Sequence, residues 1–203
     1  MDLFRKHIEK FSSLSDDEFN YLSSYFKVNK FKKNEVIIDN GQFNTQKYFV
    51  LSGLLKSYFL DRGGNEYVLQ FAEPESWILD LESFYNNSPS SLIIDCITDV
   101  EALSISHEDF ITLNREVSIM SDFFCNQRVS YFIEQQNRIK TKLKLNSVER
   151  FNYFIKTHPN IVKKIPIKTI ASYIGVRRET LSRNINKLGF SNLSLVHLQD
   201  SDR

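Results

Sequence analysis

The stretch IPIKTIASYIGVRRETLSRNINKL, residues 165–188, is the most informative part of this chain. Its apolar residues recur at helical spacing on either side of Gly175, which predicts two helices joined by a tight turn. Gly175 suits such a corner because glycine adopts a positive φ without steric cost. Ala171 is small at the point where the second helix must pass close to the first. The pattern is typical of a helix-turn-helix.

The second predicted helix carries a polar cluster, Arg177, Arg178, Glu179 and Thr180, followed by Arg183. Guanidinium groups donate paired hydrogen bonds to guanine, and a carboxylate accepts from the cytosine amine. A helical hairpin with a merely solvated face is the alternative explanation. We favour DNA, because the small residue, the glycine and the polar cluster share the offsets of DNA-reading helices. The predicted DNA-binding residues are Lys168, Arg177, Arg178, Glu179, Thr180, Ser182, Arg183 and Lys187.

The segment Arg178-Glu179-Thr180-Leu181-Ser182-Arg183 closely resembles the recognition helix of the Crp/Fnr superfamily of bacterial transcription regulators. Residues 49–56, FVLSGLLK, are similar to that family's strand-glycine-strand element, so the resemblance extends across nearly the whole chain. It implies a β-roll sensor of the cyclic-nucleotide-binding type, a dimerisation helix and a winged helix-turn-helix. It also implies double-stranded DNA and RNA polymerase as partners.

The charge distribution supports a DNA-binding C-terminal part independently of this resemblance. Residues 142–203 hold 12 Lys and Arg against 4 Asp and Glu, whereas residues 1–141 hold 14 against 21. The net charge of +1 for the whole chain hides this polarity. A basic module attached to an acidic one suits a protein of which only one part meets phosphates.

The composition predicts a soluble, globular, cytoplasmic protein. With 203 residues, of which 41% are hydrophobic, the chain can bury a sizeable core. It lacks the run of about 18 apolar residues that a membrane span needs, and its N-terminus lacks a signal-like apolar stretch. Cys96 and Cys125 have neither disulfide-framework nor metal-ligand spacing, so both are expected to be small core hydrophobes.

The fold class is predicted to be α+β, with an antiparallel β-roll or jelly roll in the N-terminal half. Short apolar runs between polar and glycine-rich turns predict strands at 35–38, 47–52, 54–60, 66–71, 91–98 and 100–105. Their connections are too short for parallel crossovers. A short helix is expected at 16–26. Aromatic residues are expected to fill the interior, namely Phe26, Phe31, Phe49, Phe59, Phe71 and Phe84.

A long helix is predicted from residue 108 to about 143. Its early apolar residues Val117, Met120 and Phe124 are expected to pack on the β-domain. A later stripe has the alternating spacing of a two-stranded coiled coil and predicts a homodimer; packing on the chain's own β-domain is the alternative. The predicted seam is Cys125, Val129, Phe132, Gln136, Ile139 and Leu143.

The sequence predicts a division into three parts. Asn146 and Glu149 have the spacing of a capping box, so a new helix is expected to begin there and the break near Asn146 to act as a hinge. The predicted domains are a β-roll sensor at 1–107, a dimerisation helix at 108–144 and a winged helix-turn-helix at 145–203.

No enzyme site is apparent. The four histidines are scattered, and Asp80 and Glu82 would point to opposite faces if they lay in a strand. A cupin-type metal enzyme would need clustered ligands, and sensing by an iron–sulfur cluster or haem lacks its cysteines or histidines. The expectation is a protein without catalytic activity, metal or cofactor.

The family resemblance also bears on the effector. Its nucleotide-binding members carry a glycine and glutamate that hold the ligand, followed by an arginine that neutralises the cyclic phosphate. The matching residues here are Leu79, Asp80, Ser90 and Ser91, so the cation is missing and cyclic AMP is not expected to bind. Either another small molecule binds a pocket lined by Asp80, Ser90, Ser91, Gln135 and Gln136, or the domain is an unliganded scaffold.

The predicted DNA-binding module departs from its relatives in two places. Arg177 replaces the usual N-cap residue of the recognition helix, and Asn184 takes a position that is usually apolar. A short wing is expected at 190–200, with alternating Leu193, Leu195 and Leu198. The function that follows is that of a homodimeric DNA-binding transcription regulator. The alternative is a sensor protein that acts only through protein contacts.

Overall fold

The computed structural model describes residues 1–11 and 13–187. Its helices are α1 Asp2–Glu9, α2 Asp16–Ser23, α3 Leu81–Asn86, α4 His107–Glu116, α5 Ser118–Lys144, α6 Ser147–Thr157, α7 Ile167–Ile174 and α8 Arg178–Lys187. Its strands are β1 Lys27–Phe31, β2 Val36–Ile38, β3 Gln46–Ser52, β4 Leu55–Leu60, β5 Glu66–Ala72, β6 Trp77–Ile78, β7 Ile93–Cys96 and β8 Val100–Ser106. The chain forms two compact units, one of residues 1–59 and 69–131 and one of residues 60–68 and 132–203.

The predicted antiparallel β-domain is confirmed. One sheet has the strand order β1-β8-β3-β6, and the other has the order β2-β7-β4-β5. Alternation along β3 sends Tyr48 and Val50 into the core of the β-strands, and Phe49 into a second core shared with helices. Gly53 forms the corner after β3 with φ +95°, where a Cβ would overlap the carbonyl of Asp99. The glycine of the strand-glycine-strand element is therefore required by packing.

All six predicted strands exist, and the structure adds β1, β6, α1 and α3. A further strand at Asp80 and Glu82 is not formed. Asp80 is instead the N-cap of α3, and Glu82 lies in that helix's first turn. Aspartate stabilises a helix start because its carboxylate accepts from otherwise unpaired backbone N–H groups. The expected burial of Phe59 is wrong, because this side chain is 38% exposed.

The single long helix predicted from residue 108 is also wrong, because Val117 separates α4 from α5. Val117 has extended backbone angles, φ −120° and ψ 94°. Its side chain packs against the second core, which the strands share with the helices and which also contains Met120 and Phe124, as predicted. Tertiary packing therefore introduces a corner that no glycine or proline marks in the sequence. The division into domains at residues 107 and 144 stays a prediction.

The expectation that both cysteines lie in the core is right for one of them. Cys96 is 1% exposed in β7, and burial raises the pKa of its thiol to about 12. Cys125 lies exposed on α5, so its expected burial within the chain is wrong. An exposed position agrees with its other assignment, as the first residue of the seam.

The second unit begins with the tip of the β4–β5 hairpin and continues from the middle of α5. Ser172 of α7 holds the hairpin, because its hydroxyl donates to the Glu66 carbonyl at 2.6 Å and accepts from the Val68 N–H at 2.9 Å. The predicted capping box at the start of α6 is confirmed, since Asn146 and Glu149 each bond the other's backbone N–H. Three short helices pack around an apolar core that includes Phe151, Phe154, Ile161, Ile165, Ile170, Leu181 and Ile185.

One lysine lies inside the core of the first unit. Lys47 occupies the face of β3 that also carries Phe49 and is only 6% exposed. Its ammonium lies 4.2 Å from the ring centre of Trp77, 4.8 Å from that of Phe110 and 4.1 Å from that of Phe124. The rings favour the charged form, but desolvation, with a smaller contribution from Arg128, lowers the pKa of Lys47 to about 7.

The buried lysine predicts a pH-dependent stability. The folded chain releases this proton near pH 7, whereas the unfolded chain holds it until about the ordinary value of 10.5. Between these values the unfolded state binds more protons, so the free energy of unfolding should rise by up to about 1.4 kcal/mol per pH unit. The cost of burying a charged Lys47 is therefore absent above pH 10.5, and it lowers the free energy of unfolding increasingly as the pH falls towards 7.

Urea unfolding between pH 6.5 and 9.5 measures this slope. Lys47→Met should flatten the slope and stabilise the protein most at the acid end, because no charge is then buried. Lys30→Met, which removes an exposed lysine of β1, is the control and should keep the wild-type slope. The same slope in Lys47→Met as in wild type would contradict the prediction.

Candidate nucleic-acid interface and sensor pocket

The predicted pair of helices at residues 165–188 is present as α7 and α8. Gly175 ends α7 in the left-handed region with φ +71°, as the sequence predicts. The N–H of Gly175 donates to the Ser172 carbonyl at 3.2 Å, and that of Val176 donates to the Ala171 carbonyl at 2.9 Å. These two bonds satisfy helix-end carbonyls and redirect the chain into α8. Leu181 and the small Ala171 are both buried between the helices.

The outer face of α8 carries the predicted reading residues. Arg177 takes the N-cap position, and Arg178, Glu179 and Arg183 are exposed. Glu179 and Arg183 are four residues apart, which places them on one side of the helix. Thr180 and Ser182 are half-buried at the edge of this face, and Lys168 is exposed on α7. The face therefore presents forked cationic donors beside one carboxylate acceptor.

Two assignments in this module fall at or beyond the end of the described residues. Lys187 belongs to α8, but its side chain is outside the described part of the structure. The wing predicted at 190–200 also lies outside the described residues.

Asn184 has a structural role that the sequence did not reveal. Its amide donates to the Ser147 hydroxyl at 2.9 Å and so ties α8 to the start of α6. Ile185, which is 5% exposed, anchors the same turn of α8 in the core. A polar residue at this usually apolar position is therefore satisfied by a hydrogen bond. Periodicity alone could not identify its partner, because Ser147 lies 37 positions earlier.

The six residues of the predicted seam are all exposed in the single chain. The exposed fractions are 52% for Val129, 62% for Phe132, 57% for Ile139 and 83% for Leu143. By contrast, Met120, Phe123 and Phe124 at the start of the same helix are almost fully buried. The apolar residues of α5 thus divide into a buried early group and an exposed later stripe.

The first unit brings three of the predicted pocket residues together. The carboxylate of Asp80 is 2% exposed and accepts four hydrogen bonds. One oxygen accepts from the backbone N–H groups of Glu82 at 3.0 Å and Ser83 at 3.2 Å. The other accepts from the Ser90 hydroxyl at 2.7 Å and the Ser91 N–H at 3.1 Å.

This arrangement satisfies the donors of the pocket within the chain. The backbone N–H groups at the start of α3, the Ser90 hydroxyl and the Ser91 N–H all point to one internal anion. An incoming phosphate would have to displace the Asp80 carboxylate to use them. Gln135 and Gln136 lie on the later half of α5, in the second unit, and their place in a pocket stays a prediction.

The described residues offer neither a metal centre nor a membrane-spanning helix. No group of three or more His, Cys, Asp or Glu side chains within residues 1–11 and 13–187 is arranged to hold a metal ion. Within the same residues, no helix is both long and apolar enough to cross a bilayer.

Comparisons with known proteins agree with this architecture. The family model of the cyclic nucleotide-binding domain matches residues 28–116. The cAMP-activated global transcriptional regulator CRP of Salmonella typhimurium is 22% identical over 196 residues, covering 90% of this chain and 92% of the relative. The family match runs through the strands and the helix α3 that hold Asp80.

Solved structures share the fold at low sequence identity. FixK2 from Bradyrhizobium japonicum has a TM-score of 0.69 at 14% identity, covering 88% of this chain and 99% of that protein. The c-di-GMP responsive global regulator CLP of Xanthomonas campestris has a TM-score of 0.67 at 16% identity, covering 85% and 90%. The chain thus has a match to the cyclic nucleotide-binding domain, is similar to CRP over most of its length, and shares the fold of these solved regulators.

Proposed function

We propose that this protein is a homodimeric transcription regulator that reads a near-palindromic DNA site with α8. The observation that carries the proposal is the outer face of α8, where exposed Arg178, Glu179 and Arg183 follow a glycine-ended α7. Two arginines and a carboxylate on one short helix match the donors and acceptors of base edges in the major groove. A module that acts only by protein contact has no comparable need for this pattern.

The basic character of the C-terminal part supports the same proposal. Residues 142–203 carry a net charge of about +8, and Lys163, Lys164 and Lys168 are exposed near the start of α7. Lysines beside a reading helix can contact phosphates and release condensed counterions, which adds affinity without sequence preference. Base-reading and phosphate-binding residues are thus separate sets of side chains, and substitutions can distinguish them.

The exposed stripe of α5 supports a dimer. Large apolar side chains at Val129, Phe132, Ile139 and Leu143 would remain in water unless a second surface covered them. A second copy of α5 offers the same stripe in matching register, as in a two-stranded coiled coil. Two linked helix-turn-helix modules would then contact half-sites about one DNA turn apart, roughly 10 base pairs centre to centre. The resemblance to the family makes RNA polymerase a further expected partner.

The sensor pocket is proposed not to bind cyclic AMP. Ser90 lies at the position where the family's nucleotide-binding members carry an arginine. The Asp80 carboxylate already accepts from the donors that a phosphate would use. A phosphate placed there would meet a buried negative charge without a cation, which costs several kcal/mol. A different small molecule and an unliganded scaffold both remain compatible with this network.

The proposed base reading is tested with one arginine variant and one lysine variant. Arg183→Ala should cost about 1–3 kcal/mol per half-site on the specific site and relax the preference at one base pair. Lys168→Ala should weaken specific and scrambled duplexes alike and reduce the salt slope by about 1. Titrations on both duplexes at two salt concentrations separate these behaviours. Equal losses on the two duplexes for Arg183→Ala would mean that Arg183 only binds phosphate.

The proposed dimer is tested at the centre of the stripe. Phe132→Glu should yield monomers with weak DNA binding, because it places two carboxylates in a desolvated interface and uncouples the half-sites. Sedimentation velocity measures the mass. Val28→Glu changes a comparably exposed residue, at 54%, on β1 and should leave the dimer intact. A Phe132→Glu protein that still sediments as the wild-type dimer would rule out this seam.

The proposed insensitivity to cyclic AMP is tested by thermal shift. Millimolar cyclic AMP should leave the melting temperature unchanged, since a ligand that binds the native state must raise it by mass action. Ser90→Arg alone should not produce tight binding, because Leu79 still obstructs the ligand's approach and the Asp80 carboxylate still accepts from three backbone N–H groups. The cAMP-activated regulator of Salmonella typhimurium serves as the positive control. A saturable shift in the wild-type protein would disprove the claim.

A further inference from the structure

A single arginine of α6 links the ends of two other helices. The Arg150 side chain donates from Nε to the Leu145 carbonyl at 2.9 Å and from Nη2 to the Lys142 carbonyl at 2.7 Å. Both carbonyls belong to the C-terminal end of α5 and its first following residue. The last carbonyls of a helix have no partner within the helix, so the guanidinium satisfies groups that would otherwise need water.

The third nitrogen of the same guanidinium faces the end of α7. Arg150 Nη1 lies 3.4 Å from the Ile174 carbonyl and 3.3 Å from the Gly175 carbonyl. A Cβ added at Gly175 would lie 3.9 Å from Nη1 and 3.4 Å from Lys142 Cε. The backbone of the turn therefore approaches the side chains of α5 and α6 closely.

The planar guanidinium gives this link between the helix ends a fixed geometry. Helix C-termini carry partial negative charge, so a cation placed between two of them is attracted to both. The planar guanidinium holds its donors in a fixed fork, whereas the lysine ammonium is a point charge on a flexible stem. Arg150 therefore fixes the position of the α7 end relative to the α5 end, rather than only neutralising their charge.

The position of the α7 end determines where the reading helix begins. Only Val176 and Arg177 separate Gly175 from the first residue of α8. In a dimer held together through α5, the offset between the ends of α5 and α7 sets the distance between the two copies of α8. We propose that Arg150 is a positioning residue that sets which spacing between the two DNA half-sites the dimer prefers. This inference rests on the proposed function.

Spacer preference distinguishes positioning from base reading and from general stability. One added base pair moves a half-site by about 3.4 Å and turns it by roughly 35°. A rigid dimer should lose about tenfold or more in affinity from such a change, because a bidentate base contact is worth about 1–3 kcal/mol. A dimer whose reading helices are loosely held should tolerate the change.

The experiment selects binding sites from duplexes in which the half-sites are fixed and the spacer length varies. Wild-type protein should select one spacer length. Arg150→Met keeps most of the side-chain stem but removes every donor, and it should select neighbouring spacers within about threefold of the optimum. Arg183→Ala is the matched control: it should lose preference at one base pair and keep the wild-type spacer. Arg150→Lys, which keeps the charge without the fork, should broaden the spacer range and serves if Arg150→Met does not fold.

The outcomes separate this inference from the function on which it rests. A folded Arg150 variant that keeps the narrow wild-type spacer optimum overturns the inference and leaves DNA reading intact. A wild-type protein that selects no site at all contradicts both. Circular dichroism melting shows which variants are folded and therefore count in the comparison.

Discussion

The structure depends on one helix, α5, whose early and later turns lie in different surroundings. Its first turns bury Met120, Phe123 and Phe124 in the first unit, whereas its later turns expose a stripe of large apolar side chains. Leaving that stripe in water forgoes about 25 cal/mol for each Å² that a partner could cover. Val117, whose backbone is extended, ends α4 immediately before α5, and its side chain packs against the same core as Met120 and Phe124.

Two buried ionisable groups of the first unit differ in how well their surroundings replace the water around a charge. Asp80 is 2% exposed, but four donors from α3 and the segment after it converge on its carboxylate. Lys47 is 6% exposed and meets three aromatic faces, and its pKa falls to about 7. Hydrogen bonds to an ion replace its hydration directly, whereas ring faces replace it only in part. The first group therefore keeps its donors within the chain, and the second is expected to make the stability depend on pH.

The polar side chains of the second unit divide into those that hold the backbone and those that face outward. Arg150 and Asn184 turn inward and bond the helix ends and the Ser147 hydroxyl. Arg178, Glu179 and Arg183 remain exposed on α8. The inward side chains join the helices of this unit, and the outward ones lie at its surface. Residues of similar chemistry thus have different roles because of their position on the helices.

The sequence by itself determined the features that repeat at a fixed local period or need a special residue. The helix-turn-helix around Gly175, the capping box at Asn146, six strands and the apolar stripe of α5 are of this kind. Tertiary structure alone decided the corner at Val117, the role of Asp80 as the N-cap of α3, and the partners of Lys47, Arg150 and Asn184. These features depend on groups that are distant in sequence, and a local pattern carries no information about which distant donor, ring or carbonyl the fold will bring into contact.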